Sequence, residues 1–241
     1  MRGEEESKRL DWVKQKVKCN SVWYFCEDRQ KIACILKNAE PNPAPSEFPD
    51  FLFGTGFIEQ FQITASKETK KGALHRKEQE RFYKEAEQQF QAMARELENA
   101  PPANEMTCKT CEMEAPVYSY EMYEKSFRKN WQHHMDSLEK YTGCREVGIF
   151  LISYQGPLFK TMRQGEFLGF YHLYQDARML RYIEQYQDKL SYVIFEDGQN
   201  CEVIELEKIP ALIEGVPCNI QFEPGRWRGY HINLATNVSD R

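Results

Sequence analysis

The stretch EFPDFLFGTGFIEQFQIT, residues 47–64, sets Asp50 and Glu59 on opposite arms of a Gly54-Thr55 turn. Both arms are otherwise apolar enough to form strands. If Gly54-Thr55 is a two-residue loop, glycine at its first position suits a type II′ turn and Phe53 pairs with Gly56. Asp50 then falls directly opposite Glu59 on one face, with Cβ atoms about 5 Å apart. Two carboxylates that close repel unless one is protonated or a cation sits between them. A hard divalent ion with oxygen ligands is the natural occupant. A three-residue loop would instead slip the register and turn one acid to solvent.

The next segment adds charge of both signs. Leu74, Glu78, Phe82, Ala86, Phe90, Met93 and Leu97 recur at helical spacing over 72–98. Glu78 therefore takes an inward position on that stripe, with Lys71 one or two turns before it. The pair reads either as a third metal ligand with a nearby cation, or as a partly buried ion pair at a helix end. Residues 67–84 hold seven cations against three acids, a local charge of +4. Lys67, Lys70, Arg76, Lys77 and Arg81 in this run are candidate phosphate contacts. An ordinary solvated helix face is the other origin of such a pattern. GRWRGYH, 225–231, interleaves Arg226 and Arg228 with Trp227 and Tyr230, as a nucleic-acid groove or an amphipathic core edge would.

Other constellations are weaker. Cys108-x-x-Cys111 is half a zinc site with no second pair to complete it. His133 and His134 are adjacent, so on a helix they diverge by about 100° and do not chelate together. P-loop, dinucleotide, Gly-x-Ser-x-Gly and His-Glu-x-x-His signatures do not occur.

These residues need a scaffold, and the chain is long enough to build one. Its 241 residues suit a single domain 1–241, and 41% apolar residues can fill a core. A net charge of −5 gives no global pull toward DNA or an anionic membrane, so nucleic-acid contact must be local. No run approaches the roughly 20 apolar residues of a membrane helix. The acidic start MRGEEESKRLDW does not resemble a signal peptide, which places the expected location in the cytoplasm. There the eight cysteines read as reduced thiols.

Periodicity predicts a helix over 6–18 and a hairpin from SVWYFCED and KIACILK, followed by a Pro-rich loop over 38–49. After the acidic hairpin come helix 72–98, a linker over 100–116 and helix 118–141. EVGIFLISYQ, 146–155, reads as a central strand buried on both faces. A helix over 171–189, a hairpin about Asp197-Gly198 and a short helix at EKIPALIEG follow, and the tail 217–241 shows little regular pattern. The expected class is α/β, with helices on both faces of a central mixed sheet.

Pro49-Asp50, the apolar hairpin and Ile58-Glu59 followed by a helix resemble the PD-(D/E)xK, or restriction-endonuclease-like, nuclease superfamily. The order of elements over about 5–155 resembles its α-β-β-β-α-β core, with an added long helix at 118–141 and an extension over 156–241. The resemblance implies a metal-dependent nuclease that hydrolyses phosphodiester bonds, in DNA more readily than RNA. Asp50 and Glu59 match its acids and would hold Mg²⁺ or Mn²⁺, with Glu78 of the helical stripe as a third ligand, and a homodimer would serve to cut both strands. The family's lysine position is Phe61 here. Members that replace or relocate this lysine imply Gln62 or Lys71 in its role, with Lys67 and Lys70 as further sources. The alternative on the same scaffold is a non-catalytic nucleic-acid- or protein-binding module.

Overall fold

The computed structural model describes residues 4–44, 47–69, 72–98, 105–113, 118–154, 156, 158–162, 167–218, 220–224 and 229–237. In chain order the elements begin with α1 (Glu4–Lys18), β1 (Trp23–Phe25), α2 (Arg29–Asn38), β2 (Glu40–Pro41), β3 (Phe51–Phe53) and β4 (Gly56–Ile63). Next are β5 (Glu68–Thr69), β6 (Gly72–Ala73), α3 (Leu74–Glu98), β7 (Glu105–Met113) and α4 (Tyr120–Lys140). They continue with β8 (Val147–Tyr154), β9 (Leu158–Met162), β10 (Phe167–Phe170), α5 (Ala177–Glu184), β11 (Tyr192–Glu196) and β12 (Cys201–Glu205). The last are α6 (Ile209–Gly215), β13 (Ile220–Pro224) and β14 (Gly229–Asn237). Internal contacts divide the chain into two compact units, Met1–Ala65 with Ser119–Pro224, and Ser66–Tyr118 with Gly225–Arg241.

The first unit is built on a seven-stranded mixed sheet in the order β1-β12-β11-β8-β4-β3-β2. β8 lies at its centre, parallel to both β4 and β11. Its two-sided burial follows from VGIFLISY, which offers no polar face to solvent. On one face Leu10 and Val13 of α1 and Ile32 and Leu36 of α2 pack on Ile58, Ile149, Leu151 and Ile194. On the other face α4 lays down Tyr123, Phe127, Trp131, Met135 and Leu138 at helical spacing. Trp131 meets Phe150 edge-on at 5.0 Å between ring centroids. No helix among the described residues is long and apolar enough to cross a membrane. The second unit contains α3 and the antiparallel pair β7–β14.

Four expectations change. KIACILK is helical, not the second arm of a hairpin: Asp28 caps it by accepting from the Lys31 N–H, and Ile32, Ile35 and Leu36 form a helical stripe. A cap and an i, i+3, i+4 pattern outweigh the β-propensity of two isoleucines. The expected linker contains β7, because residues 105–113 find a partner in β14 from the tail. The tail accordingly holds β13 and β14. The helix expected over 171–189 is shorter and interrupted. A 3-10 turn at Leu173–Gln175 ends at Asp176, whose side chain starts α5 by accepting from the Arg178 and Met179 N–H groups.

Asp28→Ala removes the α2 cap and is expected to lower the unfolding free energy by about 1 kcal/mol. Asp28→Asn is expected to stay close to the parent. Urea denaturation of the three proteins measures the difference.

Candidate functional site

The acidic hairpin has the register of a two-residue loop: Phe53 pairs with Gly56, Leu52 with Phe57 and Phe51 with Ile58. Gly54 does not take a positive φ, so the type II′ turn is not formed. The loop is held from outside instead, since the Val147 N–H donates to the Thr55 carbonyl at 3.0 Å. Gly56 is required by packing. A Cβ there would lie 1.9 Å from the Val147 carbonyl oxygen.

Asp50 and Glu59 are the next pair beyond Phe51 and Ile58. β3 ends at this point, and the two side chains extend the pairing. The Gln60 N–H donates to Asp50 Oδ2 at 2.8 Å, and the Asp50 N–H donates to Glu59 Oε2 at 3.0 Å. The acids are thus adjacent, and each binds the backbone of the opposite arm.

Glu59 also meets α4. Its Oε1 lies 2.6 Å from His134 Nδ1, so with the carboxylate ionised that nitrogen carries the proton and donates. The imidazole stacks on Phe61, with centroids 4.6 Å apart and an interplanar angle of 12°. Strand alternation puts Glu59 and Phe61 on the same face of β4. Phe61 is therefore a core aromatic that packs flat on the histidine partner of Glu59. Adjacency to His133 obscured His134 in the sequence. Its spacing of three from Trp131 and four to Leu138, both buried stripe residues, was the available signal.

Burial pushes the Asp50 carboxyl up to about 7, with the negative charge of Glu59 as the next cause. Glu6 of α1 adds to the rise, whereas the Gln60 N–H and His134 oppose it.

The remaining predicted residues lie elsewhere. Gln62 is half-buried opposite Ser153 of β8, and alternation turns it to the face away from Glu59. Lys67 is exposed in the second unit, as are Lys77 and Arg81 on α3. Arg81 pairs with Glu85 at 3.8 Å. Burial, and after it the charge of half-buried Glu78 on α3, pushes the Tyr118 phenol up to about 12. Lys70, Lys71, Arg226 and Arg228 lie outside the described residues, as does the side chain of Arg76. Cys108 and Cys111 fall on β7, opposite Leu234 and His231. Among the described residues no group of three His, Cys, Asp or Glu side chains is arranged to hold a metal ion.

A carboxyl raised in the folded state stabilises the fold only while it keeps its proton. As pH climbs from the ordinary value of 3.8 toward 7, the unfolded chain releases the Asp50 proton first. Stability contributed by this group is thus full below about 4 and lost through about 7. Asp50→Asn retains an acceptor for the Gln60 N–H and is expected to flatten that decline. Urea unfolding at pH 5 and pH 8 reads the effect as a smaller pH-dependent loss in the variant than in the parent.

No family model, no curated protein and no solved structure matches the chain, so the chemistry of this site is argued from its own geometry.

Proposed function

We propose that the chain is a metal-dependent nuclease of the restriction-endonuclease-like type, hydrolysing phosphodiester bonds in DNA. The observation that carries this reading is the juxtaposition of Asp50 and Glu59 across the hairpin, with the Asp50 carboxyl held near neutrality by burial and its acidic neighbour. The two adjacent carboxylates are oxygen donors, the type that Mg²⁺ or Mn²⁺ takes, and no thiolate lies with them. When bound, the ion supplies the Lewis acid that phosphodiester hydrolysis needs. Asp50 and Glu59 would hold it, and His134 would orient Glu59 through the 2.6 Å contact. In the second unit, exposed Lys67, Lys77 and Arg81 offer positive charge to phosphates. The reading places the protein in the cytoplasm, with a homodimer to cut both strands.

One observation favours a second reading, a non-catalytic nucleic-acid- or protein-binding module on this scaffold. Phe61 fills the lysine position, and its stack on His134 closes that side of Glu59 with an aromatic ring.

Incubating single- and double-stranded DNA with the full chain and Mg²⁺ or Mn²⁺ separates the two. The nuclease reading expects cleavage that falls at least roughly a hundredfold in Asp50→Asn and Glu59→Gln. It also expects calorimetric Mn²⁺ binding by the parent and none by Asp50→Asn. Equal cleavage by parent and variants would sink the assigned roles. DNA binding by the parent without cleavage or Mn²⁺ uptake would establish the binding module in its place.

A further inference from the structure

A second feature of the first unit lies apart from the hairpin. A cavity of about 580 Å³ opens between the start of α5, the end of α6 and β13. That volume lies within the range of small-molecule sites. Arg178 and Arg181, three residues apart on α5, line one side. Tyr120 and Phe222, with ring centroids 5.3 Å apart, line another. The Gln221 amide contributes a donor and an acceptor, and exposed Glu223 completes the rim.

The walls are fixed by buried polar contacts. Asp176 is 1% exposed, and its Oδ1 accepts from the Arg178 and Met179 N–H groups. Its Oδ2 accepts from the Tyr120 hydroxyl at 2.7 Å and the Tyr171 hydroxyl at 2.9 Å. Four donors of the chain itself thus engage this carboxylate, which serves the wall and not the ligand. Arg178 is steadied by Glu124 at 2.8 Å, an acid that Arg128 shares at 2.9 Å. Arg181 has no ion-pair partner among the described residues and is exposed. The site therefore offers an oriented guanidinium and an available one, with two aromatic rings and an amide nearby.

Planar guanidinium groups match phosphate oxygens, aromatic faces accept a planar heterocycle, and an amide can read its polar edge. We propose that this cavity binds a nucleoside monophosphate, with its phosphate on Arg178 and Arg181 and its base against Tyr120 and Phe222.

Isothermal titration calorimetry of the full chain tests this with AMP, GMP, CMP and UMP, and separately with inorganic phosphate and adenosine. At least one monophosphate is expected to bind more tightly than either fragment. Arg181→Gln, at an exposed position, is expected to weaken that binding by roughly tenfold or more. Phe222→Leu should weaken it while leaving inorganic phosphate unaffected, and Asp50→Asn should leave it unchanged. Four results would each overturn the proposal: no binding of any monophosphate, inorganic phosphate binding as tightly as every nucleotide, unchanged affinity in Arg181→Gln, or loss of binding in Asp50→Asn.

Discussion

β8 leaves no face for water, and the first unit is organised around that constraint. Its parallel neighbours β4 and β11 complete its hydrogen bonding, and helices must cover both of its faces. α1 and α2 do so on one side and α4 on the other. Any polar group drawn under those helices needs a partner inside the protein, because water is not available to it.

The buried acids show how that need is met. Glu202 is bonded by His172 and by the Leu173 and Tyr174 N–H groups. Glu196 pairs with Arg9 and accepts from the Gly198 N–H. Glu124 lies between two arginines, and Asp176 is held by two tyrosine hydroxyls and two backbone N–H groups. Each of these carboxylates has a cation or several donors of its own. Asp50 differs, because its nearest charged neighbour is another carboxylate and its own bond is to one backbone N–H. That imbalance distinguishes a candidate site from a satisfied core acid.

Some of this was legible in the sequence. The mixed α/β class, the central strand, the α4 stripe and the Asp50–Glu59 register all follow from periodicity and loop length. α2 is not legible because a short apolar run has no unambiguous period, and Asp28 signals a turn as readily as a cap. β7 and β14 each depend on a partner more than a hundred residues away, a pairing that local pattern cannot report. His134 shows the same limit at the site. Its spacing put it on the buried stripe, but its acid lies 75 residues away on a strand, and only the packing of α4 on β4 joins them.

The contact between Gly56 and the Val147 carbonyl divides the hairpin into parts with different freedom to vary. At Gly54 an added methyl would meet nothing within 4 Å, so the tip can accept other residues at little steric cost. At Gly56 any side chain would have to displace the backbone of the central strand. The pairing that brings the two carboxylates together thus includes one position, Gly56, that the main chain of β8 constrains. Drift at the tip meets no steric conflict, whereas a side chain two residues further on would meet the main chain of β8.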